Sequence, residues 1–122
     1  AVTKTSKAAW TAARNGRGAA AEAAQLKQYD AVRNTTSRLV EGTNRWRIFD
    51  NTTIRDGVTY LGETKGGKYQ SWTSQLRDNV ILGEKLGMQP ALFVPPSTRL
   101  SGPLLEAAKA RKITIFDDLL IK

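Results

Sequence analysis

An α/β (α+β) domain with a mixed central sheet flanked by helices is the fold class this sequence predicts, in the order α-β-β-β-α-β-α-β. Three observations predict it. Two β-prone runs meet at Asp56-Gly57, a strong local hairpin signal. Ala91-Leu92-Phe93-Val94, stopped by Pro95-Pro96, is a short continuous apolar run of the kind found in buried strands. Helix-period segments then lie on either side of that run, as they do in β-α-β crossovers.

Each element follows in order. Residues 8–33 read as helical, with dense Ala and a modest stripe of Leu26, Tyr29 and Val32. Asn15-Gly16-Arg17-Gly18 breaks that stretch, which separates an arm or linker remnant, residues 1–17, from a domain at 18–122. The main helix runs from about 18 to 33 and ends at Asn34-Thr35-Thr36. Residues 37–41 form a short β-prone run, followed by a turn at Gly42-Thr43-Asn44. Residues 46–54 and 58–65 are the clearest strands, and Gly66-Gly67 closes the second. A helix over 69–86 carries Trp72, Leu76, Val80 and Gly83 at helical spacing, with Gly87 as its stop. Ser101-Gly102-Pro103 opens a helix over 103–111, with Pro in its first turn, and residues 113–116 supply the last strand.

Composition narrows the chemistry. The 122 residues suffice for one domain with a core. Cys and His are both absent, which excludes disulfides, Cys/His zinc sites and His-based acid–base or nucleophilic catalysis. Carboxylates, Lys, Arg, Ser/Thr and Tyr remain, and any metal must be a hard ion held by oxygen. Net charge is +8, concentrated in residues 1–47, where nine Lys/Arg face three acids. That balance favours a polyanionic partner, above all nucleic acid. No apolar run approaches the roughly 18 residues of a membrane span. The start lacks secretory-signal features and an initiating Met, so a fragment of a longer polypeptide is expected.

The hairpin carries the chemical constellation. Alternation places Glu63 and Lys65 on one face, and folding about Asp56-Gly57 brings Asp50 opposite positions 62–63. Asp50 and Glu63 suit a divalent ion such as Mg²⁺ or Mn²⁺, with Lys65 steadying an attacking water or developing charge. An acid-x-Lys triplet alone arises by chance nearly once in such a composition, so its position at a strand end gives it value. Asp56 belongs to turn geometry. Arg45, Arg47, Arg55 and Lys68 are expected to contact phosphates. Trp46 and Trp72 are assigned to core packing ahead of base stacking, Asp78 to a solvated or helix-stabilising charge, and Asp117 and Asp118 to capping the last strand.

On these residues the chain resembles the PD-(D/E)xK, restriction-endonuclease-like nucleases. Ile48-Phe49-Asp50 stands at the "PD" position, with Phe49 in place of the usual Pro, and Glu63-Thr64-Lys65 as "ExK". The element order matches over about residues 18–118. More narrowly it resembles the toxin domains of that fold in bacterial polymorphic toxins, including contact-dependent growth inhibition effectors. The carrying segments are residues 18–22, 47–50, 63–65, Gln75-Leu76-Arg77-Asp78, Phe93-Val94-Pro95 and Leu100-Ser101-Gly102-Pro103-Leu104. The resemblance implies a metal-dependent endonuclease toxin, DNA favoured over tRNA as substrate, an extra metal-coordinating Glu at Glu22, and Gln75 facing the site. It further implies delivery from a larger secreted or cell-surface toxin into a target-cell cytoplasm, and a cognate immunity protein. The alternatives are a tRNA-cleaving toxin of the same fold, a metal-independent ribonuclease, and a nucleic-acid-binding module that does not cut.

Overall fold

The computed structural model describes residues 16–120, so the expected N-terminal arm lies outside the described residues except for its last two. Those two already begin helix α1, Gly16–Gln28. Its Ala-rich sequence has high helix propensity, and the helix stops at Asp30, which takes a left-handed backbone (φ 53°). The amide of Ala31 closes the end onto the Leu26 carbonyl at 3.1 Å. The expected helix over 18–33 is therefore too long by a turn. Beyond Asp30 the chain extends as β1, Val32–Arg33, and Val32 is 68% exposed although it sits at an apolar helical position.

A five-stranded sheet in the order β1-β4-β5-β7-β9 forms the middle of the molecule. Here β4 is Asn51–Arg55, β5 Val58–Thr64, β7 Gln89–Phe93 and β9 Thr114–Phe116. The β1–β4 and β4–β5 pairs are antiparallel, while β5–β7 and β7–β9 are parallel. Strands β4 and β5 join through Asp56-Gly57, both at positive φ (51° and 79°), as a tight primed turn requires. The parallel pairs are bridged by α2, Ser74–Leu86, and α3, Gly102–Lys109. Thr73 and Ser101 cap these helices through their hydroxyls, and Gly87 (φ 70°) ends α2.

Two predicted strands have different partners. Residues 37–41 do not supply an edge of the main sheet; β2, Arg38–Leu39, pairs with β3, Trp46–Arg47, in a separate two-stranded ribbon. The run 46–54 is accordingly broken at residues 48–50. Arg45 and Arg47 reach Asp78 on α2, which draws β3 away from the sheet, while Phe49, 2% exposed, turns into the core. Trp46 is 63% exposed, contrary to its expected place in the core, whereas Trp72 packs against the core. Residues 69–73 are not helical. The cap at Thr73 delays α2, and β6, Tyr69–Gln70, pairs in parallel with β8, Arg99–Leu100.

Both faces of the sheet are covered. Under α1 lie Ala21, Tyr29, Ala91, Phe93 and Leu119, with Phe93 stacked on Phe116 at 4.8 Å between centroids. The opposite face packs Leu76, Leu92, Leu104, Ala107 and Ile113 beneath α2 and α3, beside a cluster of Val40, Phe49, Leu61 and Leu82. Among the described residues no helix is long and apolar enough to cross a membrane.

Candidate active site

The site lies at the carboxyl ends of the parallel strands β5 and β7. Asn51 faces Gly62 across the hairpin, so Asp50 and Glu63 form the next facing positions. The Asp50 amide bonds the Gly62 carbonyl at 3.1 Å, and its Oδ2 accepts the Thr64 amide at 2.9 Å. The expected juxtaposition of Asp50 with positions 62–63 is therefore present. Lys65 follows on the Glu63 face, its amide bonded to the Phe93 carbonyl at 3.0 Å. Asp56 stands at the hairpin tip, away from the cluster.

Glu63 is 1% exposed. Its Oε1 accepts from Gln75 Nε2 at 3.2 Å and from Asn79 Nδ2 at 3.1 Å, side chains one turn apart on α2. Its Oε2 is buried with no hydrogen-bond partner, as is Oδ1 of Asn79. Burial first, and then the Asp50 charge, push the Glu63 carboxyl up to about 8. The Asn79 hydrogen bond and the Lys65 charge oppose that rise. Lys65 Nζ donates to Gln75 Oε1 at 3.4 Å, so Gln75 joins the acid and the base, as expected of a polar group facing the site.

Glu22 lies on α1, partly buried, with Arg33 Nε 3.2 Å from its Oε1. Burial and the nearby Asp50 charge raise its pKa, while Arg33 lowers it. Among the described residues no group of three His, Cys, Asp or Glu side chains is placed to hold one metal. Glu22 is ion-paired to Arg33 and lies near Asp50.

The expected phosphate contacts divide. Asp78 is buried and accepts Arg45 Nε and Nη2 at 2.9 and 2.8 Å and Arg47 Nε at 2.9 Å. The Arg45 hydrogen bond holds Asp78 below the usual carboxylate range, with Arg47 adding to it against the effect of burial. Asp78 is not a solvated charge, and the two arginines are engaged in locking the β2–β3 ribbon to α2. Arg55 lies at the hairpin tip, about 17 Å from Asp50 at the usual strand rise, with its guanidinium 4.9 Å from the Tyr29 ring centroid. It does not belong to the cluster. Lys68 is exposed in the loop after β5. Asp118 accepts from the Tyr29 hydroxyl and ties the C-terminal segment to α1 instead of capping β9.

Sequence reasoning missed Asn79, although its i+4 spacing from Gln75 was a usable signal. It also missed a buried polar ring behind the site. Gln25 donates to Asn51 Oδ1 at 3.1 Å and Thr53 Oγ1 at 3.2 Å, and accepts from Thr64 Oγ1 at 3.3 Å. Asn51 closes the ring by donating to Thr64 at 3.3 Å. Two of its members adjoin Asp50 and Glu63 in sequence, so the ring fixes the backbone that presents the carboxylates.

No curated protein matches the chain. A solved structure titled as a protein of unknown function, AF1548, aligns with a TM-score of 0.52 and 22% identity over 81% of this chain. The chain spans 56% of that protein's length, and the likeness concerns the fold. The family model described as "Restriction endonuclease fold toxin 7" matches residues 18–104, which include nearly all of α1, the hairpin, the carboxylate pair, Lys65, all of α2 and the start of α3. The chain belongs to this family of restriction-endonuclease-fold toxins.

Proposed function

We propose that this domain is a metal-dependent nuclease toxin that hydrolyses phosphodiester bonds at Asp50, Glu63 and Lys65, with DNA favoured over tRNA. The observation that carries the reading is the paired carboxylates, one fully buried and incompletely satisfied, beside a Lys in a chain of net charge +8. The donor set is all oxygen and includes an orphaned Glu63 oxygen, which fits a hard divalent cation such as Mg²⁺ or Mn²⁺ held by two carboxylates. Asp50 and Glu63 would hold it, and it would supply polarisation of the phosphodiester and activation of water.

The chain's own residues do the rest. Gln75 and Asn79 fix the Glu63 carboxylate from α2. The Thr64 amide fixes one oxygen of Asp50. Lys65, steadied by Gln75, presents an ammonium to the attacking water or to charge developing on the phosphate oxygens. A basic exterior draws in the polyanion, while the acidic site reserves its centre for a cation.

Membership of a toxin family supports the biological half of the reading. The domain acts in the cytoplasm of a rival bacterium after delivery from a larger secreted or surface toxin, and a cognate immunity protein neutralises it. Parallel incubation of the purified protein with plasmid DNA and total tRNA, each with Mg²⁺ or EDTA, tests the enzymatic half. Mg²⁺-dependent plasmid cutting is the expected result. Cutting of tRNA alone moves the substrate to RNA, and binding without cutting of either polymer refutes the nuclease.

A further inference from the structure

Four cationic side chains were expected to contact phosphate, and three are placed elsewhere. Arg45 and Arg47 are committed to Asp78, and Arg55 sits at the far end of the hairpin. A different guanidinium stands beside the strand end that carries Asp50. Arg33 occupies β1, in register with Asn51, the residue after Asp50. The next residue, Asn34, bonds the Asp50 carbonyl through its amide at 2.9 Å and the Phe49 carbonyl through its side chain at 2.9 Å. The strand end carrying Arg33 is therefore fastened to the segment carrying Asp50.

Arg33 has a partner that it can leave. Its side chain is 61% exposed, and it meets Glu22 through Nε at 3.2 Å. An exposed single-point pair of this kind is weak. A phosphate oxygen pair offers the planar guanidinium a better, two-pronged partner. The Glu22 carboxylate, 24% exposed, lies close enough to Asp50 to feel its charge.

We propose that Arg33 grips a phosphate of the bound nucleic acid beside the scissile bond, exchanging Glu22 for a phosphate oxygen. The exchange frees Glu22 near Asp50, adding negative charge beside the pocket at the moment substrate arrives. Substrate and a divalent cation then favour each other's binding, because one removes the cationic partner and the other replaces its charge. The inference rests on the nuclease reading of the site.

Binding measured without cleavage separates the two. A fluorescein-labelled DNA duplex and a labelled tRNA are titrated with protein in EDTA across a salt series, then again with Ca²⁺. Arg33→Gln is expected to weaken binding about tenfold at low salt and to lower the salt slope by about one. Arg55→Gln, which removes the same charge far from the site, leaves affinity and slope near wild type. Glu22→Gln tightens binding in EDTA several-fold, a gain absent from the Glu22→Gln/Arg33→Gln double variant, and Arg33→Lys retains part of the affinity. Ca²⁺ tightens binding in wild type and does so less in Arg33→Gln. Equal effects of Arg33→Gln and Arg55→Gln, or an unchanged slope in Arg33→Gln, overturn the role of Arg33 while leaving the nuclease intact. No binding of either polymer by wild type overturns the nuclease reading and this inference with it.

Discussion

Glu63 is the residue whose surroundings say most about its use. A carboxyl at 1% exposure beside a second carboxyl, with one oxygen unpaired, is a poor choice for stability alone. In the folded protein it titrates near 8, against 4.5 when free of these neighbours. Between those values the unfolded chain releases its proton first, so the Glu63 contribution to stability is complete below about pH 4.5 and is lost as pH rises towards 8. Denaturant melts of metal-free protein should therefore show stability falling between pH 5 and 8, and saturating divalent cation should flatten that fall. Glu63→Gln keeps the acceptor for Gln75 and Asn79 and gives Asp50 a donor. It should stabilise the metal-free protein at pH 8 by on the order of 1–3 kcal/mol, read from the same melts, while abolishing cleavage. Cation binding must displace the Glu63 proton, so apparent affinity should rise by up to about tenfold per pH unit below pH 8, measurable by calorimetry. Asp50, Glu63 and Lys65 were all legible as residues because strand alternation and the Asp56-Gly57 turn determine which positions face each other. Asn79 and Arg33 were not, since their roles depend on how α2 and β1 meet the hairpin.

The hairpin and the helices that brace it are the elements that hold the site. Gly62 lies where the Asn51 side chain crosses the strand, and a Cβ there would meet Asn51 Oδ1 at 2.3 Å. Gly62→Ala should displace the polar ring of Gln25, Asn51 and Thr64, lower stability by about 1–3 kcal/mol in thermal melts, and reduce cleavage in the fraction that remains folded. The β4–β5 turn, the start of α3 at Ser101, the end of α2 at Gly87 and the buried β7 run were readable from local chemistry, because Asp-Gly and Gly87 act through their own backbones and Ser101 through its hydroxyl, whereas the Thr73 cap that starts α2 was passed over. The errors fell where long-range partners decide. Val32 fits a helical stripe, yet strand pairing with Thr52 claims it. Trp46 looks like a core residue, yet Arg45 and Arg47, flanking it, point to Asp78 and leave the ring on the outer face of the ribbon.

At the scale of the whole molecule, opposite charges serve opposite ends of one task. Net charge is +8, while the centre of the site pairs Asp50 with Glu63 beside Lys65, and the Glu22–Arg33 ion pair lies near Asp50. Such a body should bind nucleic acid with a steep salt dependence, and its affinity should drop by orders of magnitude as salt rises from 50 to about 200 mM. Fold class and family were legible because element order and the Asp50…Glu63-Thr64-Lys65 spacing survive compression into one dimension, and the match over residues 18–104 agrees with them. The charge pairings were not, since composition counts an Arg without saying which carboxylate holds it. The most direct test of the carboxylate pair is Mg²⁺-dependent cleavage by wild type, Asp50→Asn and Glu63→Gln, each shown by circular dichroism to be folded. Wild type should cut and stop with EDTA, and both variants should fall by about a hundredfold or more. Wild-type cutting that survives chelation, or folded variants that cut at the wild-type rate, would contradict a cation site at Asp50 and Glu63.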